Sequence, residues 1–97
     1  MSSEEVKNLL IKAIKTIQDK SGKEFTPLDE ESIPRDTQLD FDSLKEVEAL
    51  LHFCNLLFVE FKLKINFTTN IFYNKITGAK KIKDITDDIL KIINRVL

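Results

Sequence analysis

The stretch that decides the fold is Leu39-Asp40-Phe41-Asp42-Ser43-Leu44-Lys45-Glu46-Val47. It opens a helix. Ser43-Leu44-Lys45-Glu46 has the Ser-x-x-Glu spacing of a capping box, and Asp40 or Asp42 can serve as the cap instead. Two roles are therefore open to Ser43. As the cap, its hydroxyl is occupied by backbone N–H groups. As the first helical residue behind an Asp42 cap, its hydroxyl projects from the surface. There the N–H groups and dipole of the helix end favour an attached anion such as a phosphodiester.

Downstream of Ser43, Leu44, Val47, Leu51, Cys54, Phe58 and Phe61 recur at three-four spacing. They predict one continuous buried stripe on an unbroken helix to Phe61, widened by Leu50 and Leu57. Cys54 then reads as a small core residue. Ala49, Phe53 and Leu56 form a second apolar set on another face, which must pack on a further element or line a ligand space. Upstream, Lys23 to Phe41 carries both prolines, Pro27 and Pro34, and no helical period. It reads as a long loop, with Leu28, Ile33 and Leu39 as its expected anchors in the core.

The flanking elements are helical. Ser3 to Lys20 has a Ser2–Glu5 capping box, an apolar stripe of Val6, Leu10, Ala13 and Ile17 with Leu9 and Ile14 beside it, and a Ser21-Gly22 stop. Asp84 to Arg95 forms the last helix, with Asp84 as cap and Ile82, Ile85, Ile89, Ile92 and Val96 as its apolar face. Between them, Phe67 to Tyr73 has β-propensity, yet also suits a short helix capped by Thr68 or Thr69. In so helical a chain, a short irregular helix plus loop is expected over Asn66 to Ala79, with Asn74 and Gly78 as turn formers. The expected fold is all-α, a small four-helix bundle in one domain over residues 1–97, with a long first loop and a short irregular third helix.

Composition narrows the function. Of 97 residues, 42% are apolar and 32% charged, which suits a soluble globular chain. No apolar run is long enough to span a membrane. The acidic start, Met1-Ser2-Ser3-Glu4-Glu5, lacks the features of a secretory signal, so a cytoplasmic monomer is expected. A single cysteine, Cys54, excludes an internal disulfide and a multi-cysteine metal site. The single histidine, His52, lies two residues away on the same helix and so points elsewhere. No metal centre and no catalytic pair is expected.

The net charge of −1 hides a segregation. Between Glu24 and Glu48 stand nine acids, opposed only by Arg35 and Lys45; between Lys62 and Lys83 stand six lysines and no acid. The surface near Ser43 is therefore expected to be acidic, repelling nucleic acid and steering basic partners. Asp40, Glu46 and Glu48 are the candidate recognition residues.

Asp42-Ser43-Leu44, after Leu39 and Phe41, resembles the Asp-Ser-Leu attachment motif of acyl carrier proteins. Asp36-Thr37-Gln38-Leu39 resembles that family's lead-in, and Val47-Glu48 the pair that follows its serine. Phe61 and Ile65 resemble the end of its second helix, and Ile82 to Ile89 the start of its last. The resemblance covers Asp36 to Val96. It implies that the chain is not an enzyme but a carrier, with 4'-phosphopantetheine attached to Ser43 from coenzyme A by a phosphopantetheinyl transferase. It also implies Asp42 and Leu44 as motif residues, and as partners acyl-transferring enzymes of fatty-acid, polyketide or lipid-modifying pathways with basic docking surfaces. Leu50, Phe53, Leu57, Ile71 and Phe72 are candidates to line an acyl space, or to be plain core. The sequence departs from the family in a longer Ser43–Phe61 span, in Lys45 where an acid is common, and in its phenylalanine content. These point to a specialised member. An aminoacyl or peptidyl carrier and a non-carrier helical adaptor, with Ser43 only a cap, are the alternatives.

Overall fold

In the computed structural model, which describes residues 1–67 and 69–96, the chain runs α1 (Ser3–Lys20), α2 (Pro34–Thr37), α3 (Ser43–Phe61), β1 (Tyr73–Asn74), β2 (Gly78–Ala79) and α4 (Ile82–Val96). α1 packs against both α3 and α4 and so forms the middle of the molecule. It starts with the expected capping box, Ser2 and Glu5 each bonding the other's backbone N–H. It stops at Gly22, whose φ of +70° is the left-handed conformation that glycine adopts without a Cβ penalty. All six residues of its predicted apolar face are buried. The radius of gyration, 12.4 Å, matches the ~12.5 Å expected of a compact chain of this length.

The long loop is tied down by polar bonds more than by apolar anchors. Gln38, buried, exchanges two hydrogen bonds with the Thr26 backbone, at 3.0 and 2.6 Å. Gln18 on α1, also buried, donates to the Leu39 carbonyl at 3.0 Å. The loop then supplies carbonyls to the start of α4: Ile82 N–H donates to Ser32 at 2.8 Å and Lys83 N–H to Glu30 at 3.0 Å. These satisfy helix-end donors that have no partner within the helix. Leu28 packs on the core as expected. Leu39 does not: it is 61% exposed, and Phe41 fills the core instead. The cause is Asp40, whose φ of +55° turns the chain between them. Asp tolerates that conformation better than most residues. The loop is not wholly irregular either, since Pro34 opens α2, where a proline's fixed φ suits the first helical position.

α3 runs unbroken from Ser43 to Phe61, but of the stripe predicted to be buried only the flanking Leu50 and Leu57 lie in the core. Its core side carries Glu46, Ala49, Leu50, Phe53 and Leu57. Leu44 and Leu51 are each 66% exposed, Phe58 is 53% exposed, Val47 is exposed, and Cys54 and Phe61 are half-buried. A helix apolar around most of its girdle offers two stripes, and the core selects the one that meets α1. The helix ends on Lys62 in the left-handed conformation, with N–H groups of Lys62 and Leu63 returning to Phe58 and Leu57 carbonyls.

The expected third helix is absent among the described residues. In its place Tyr73–Asn74 and Gly78–Ala79 pair antiparallel, Tyr73 opposite Ala79. Asn74 Oδ1 accepts the Ile76 and Thr77 N–H groups at 2.7 and 3.2 Å, and Gly78 adopts φ +87°. Thr69 caps no helix, and Thr68 lies outside the described residues. The fold is therefore mostly helical with a small two-stranded sheet, and its short helix precedes α3 rather than following it. α4 starts two residues before the predicted Asp84, which sits inside the first turn. Its inner face is Ile82, Ile85, Thr86, Ile89 and Ile93; Ile93 replaces Ile92 and Val96 as the last core residue.

Candidate functional site

α3 begins where Asp42, in extended backbone, accepts the Lys45 N–H on Oδ1 at 3.1 Å. Asp42 is thus the cap, bonding the third helical residue. Ser43 is the first helical residue. It is exposed, and its hydroxyl makes no hydrogen bond among the described residues. The Ser-x-x-Glu box does not form, because Glu46 points inward.

Glu46 is fully buried. Arg35, from α2, donates Nε–H to Oε2 at 2.9 Å and Nη2–H to Oε1, a two-point grip on the carboxylate. Asn70 Nδ2 donates to Oε1 at 2.9 Å, while its Oδ1 accepts the Phe72 N–H. The Arg35 guanidinium lies 4.3 Å from the Tyr73 ring centroid, over its face. Its bonding to Glu46 holds it more firmly protonated than a free guanidinium. One carboxylate therefore joins α2, α3 and the segment that enters the hairpin. Glu46 is accordingly not a surface recognition residue.

Ser43, Asp40, Asp42 and Arg35 line one cleft of about 470 Å³, floored by Phe41 and Gln38. Asp40 is exposed and pairs with Lys23 at 3.0 Å. Glu48 is exposed one turn further along. Leu44, Val47 and Leu51 form an apolar strip on the open side of the helix, beginning beside Ser43. The site thus combines a free hydroxyl, a helix N-terminus, three exposed carboxylates and an apolar strip.

Leu50, Phe53, Leu57, Ile71 and Phe72 are all buried in the one core. Phe41 and Phe72 meet edge-to-face, with ring centroids 5.8 Å apart, and Phe53 meets Phe67 at 6.3 Å. Cys54 is half-buried, and burial pushes its thiol pKa up, away from a reactive thiolate. Burial, then the nearby charges of Lys20 and Lys12, lowers the His52 pKa below its ordinary 6.5. No cluster of His, Cys, Asp and Glu suited to a metal ion occurs among the described residues. None of their helices is long and apolar enough to cross a membrane.

Sequence reasoning missed Arg35 and Asn70, and it read Tyr73 with Ile71 and Phe72 as a candidate acyl-space residue rather than the ring under Arg35. The signal for Arg35 was available: it is one of two cations in an acid-rich segment, directly after a proline. Asn70, polar within an apolar run, was a weaker one. No known protein family, curated protein or solved structure compared with the chain matches it.

Proposed function

We propose that the chain is an acyl carrier protein bearing 4'-phosphopantetheine on Ser43. The observation that supports this is that Asp42 takes the cap, leaving Ser43 exposed and unengaged at the first position of a 19-residue helix. It does so within the Asp-Ser-Leu motif that resembles the family's attachment sequence. On this reading the chain is a variant of the four-helix carrier bundle in which a hairpin stands where the third helix is usual.

In attachment, the Ser43 Oγ forms the new P–O bond to coenzyme A's pyrophosphate, the bond to the adenosine bisphosphate breaks, and the serine proton goes to a base on the transferase. The residues present fit the product. The free first-turn N–H groups and the dipole of α3 offset the phosphodiester against Asp40 and Asp42, the Arg35 charge being already matched by Glu46. When bound, the arm supplies a thiol that holds acyl groups as thioesters. The chain itself catalyses nothing; tethering raises the effective concentration of cargo at each partner. Leu44, Val47 and Leu51, with Asp40 and Glu48 at their edge, provide an apolar strip with an acidic rim for cytoplasmic enzymes carrying basic surfaces.

Aminoacyl carriers share the arm, and the cargo separates the two classes. A second reading, a non-carrier adaptor, is favoured by one observation: exposed apolar residues continue to Phe58, well beyond the surroundings of Ser43. The deciding experiment is incubation with coenzyme A and a broad-specificity phosphopantetheinyl transferase, followed by intact-mass measurement. One arm per chain is expected, and none on Ser43→Ala. An unchanged mass refutes the carrier; an arm on Ser43→Ala refutes the site. Loading of the modified chain by acyl- and aminoacyl-activating enzymes then identifies the cargo class.

A further inference from the structure

A second cleft, of about 610 Å³, lies between the hairpin and α4. Its volume falls within the range usual for small-molecule sites. Four cations line it from separate parts of the chain: Lys75 in the hairpin turn, Lys80 after β2, and Lys91 and Arg95 on α4. The only carboxylate in the lining is Asp88, and it is paired with Lys80. Four positive charges against one negative leave an excess of three in a chain whose net charge is −1.

The cations are only partly answered: Asp87 and Asp88, four and three residues before Lys91 on α4, offset some of its charge. Lys91 and Arg95 are four residues apart on one helix face, where like charges repel. Neither they nor Lys75 make an ion pair among the described residues. An anion in the cleft relieves that repulsion. A neutral donor is at hand: the side-chain Oδ1 of Asn74 accepts the Ile76 and Thr77 N–H groups, so its remaining hydrogen-bonding end is the Nδ2 amide. Ile71 and Ile92 add an apolar wall.

From this convergence we infer that the cleft between the hairpin and α4 binds a small anionic group, a carboxylate or a phosphate. The inference does not depend on an arm at Ser43. It does connect to that site, because Asn70 lines the cleft and donates to Glu46, one turn below Ser43. The anion has two possible sources: a free small molecule, or the distal acid of a cargo carried on Ser43.

The test is an NMR amide titration of the full chain with glutarate, with inorganic phosphate, and with uncharged glutaramide. Saturable shifts at Asn74, Lys91 and Arg95 are expected with at least one of the anions and not with glutaramide, and they weaken at high salt. The double variant Lys91→Gln, Arg95→Gln is expected to weaken binding by about tenfold or more. Lys64→Gln, away from the cleft, leaves it unchanged, and thermal unfolding of each variant confirms its fold. No saturable shift with either anion, equal binding of glutaramide, or unchanged affinity in the double variant overturns the inference. The source is read by loading Ser43 with glutaryl or valeryl thioester. Given the free-anion shifts, further cleft shifts with glutaryl and none with valeryl assign a carried acid; no cleft shift with either thioester assigns a free anion. If no arm attaches, the carrier proposal fails while the free-anion titration still decides the cleft.

Discussion

Glu46 carries more of the structure than any other charged residue, because its carboxylate is wholly buried and answered by Arg35 and Asn70. Removing one member of a buried pair leaves the other uncompensated. Arg35→Ala, which strands the buried Glu46 carboxylate, is therefore expected to destabilise the fold by about 3–5 kcal/mol in urea unfolding. Next to it, the two candidate caps are separable by the same measurement. Asp42→Ala should cost about 1 kcal/mol, the usual worth of a side-chain cap. Ser43→Ala should stay within about 0.5 kcal/mol, as for an exposed residue without partners. A Ser43→Ala loss matching that of Asp42→Ala would show that the serine caps the helix after all. The two candidate caps were legible in the sequence, since they rest on five contiguous residues. The inward turn of Glu46 was not, because its partners lie 11 and 24 residues away.

α1 declares its buried face in sequence because polar residues stand on the opposite side, and α4 declares Ile82, Ile85 and Ile89 but not its last turn, where Ile92 and Ile93 compete. α3 does not: Leu44, Val47, Leu51 and Phe58 make as regular a stripe as Ala49, Phe53 and Leu57. The buried carboxylate and contact with α1 set its rotation, and both are tertiary. The consequence is a sharp contrast between neighbours of one helix. Leu57→Ala and Phe53→Ala, in the core, should cost about 2–5 kcal/mol through lost burial and the cavity left behind. Leu51→Ser and Phe58→Ser, on the open face, should stay within about 0.5 kcal/mol. A large loss at Leu51 or Phe58 would mean that the helix is rotated towards the face its periodicity first suggests. The hairpin was missed for another reason. Its strands are two residues each, too short for any alternation to register, so the sequence offered the Asn74 and Gly78 turn signals and a β-propensity, over Phe67 to Tyr73, that a short helix also satisfied.

The segregation of charge along the chain turns out to be partly a device for closing it. Glu31, in the acid-rich loop, bridges to Lys81 at 2.9 Å and Lys83 at 3.0 Å in the lysine-rich segment. Beside these, the Ser32 and Glu30 carbonyls receive the first N–H groups of α4. Acids and lysines fifty residues apart thus meet at one clasp between loop and last helix. In the hairpin cleft, Lys75, Lys91 and Arg95 make no ion pair among the described residues. The bonds from Lys81, then Lys83, hold the Glu31 pKa below its ordinary 4.5. A carboxylate whose pKa is lower folded than unfolded contributes stability above the unfolded value and loses it as pH falls through the folded one. Glu31→Gln should therefore lower the urea midpoint at neutral pH, and the gap to the parent chain should shrink in acid as pH falls below 4.5 and through the lower folded-state pKa. It should also narrow in about 1 M salt, since all three side chains are exposed to solvent and screening is then short-ranged. A gap that persists unchanged in acid would show that Glu31 acts through packing rather than charge, and the clasp would then rest on the backbone bonds alone.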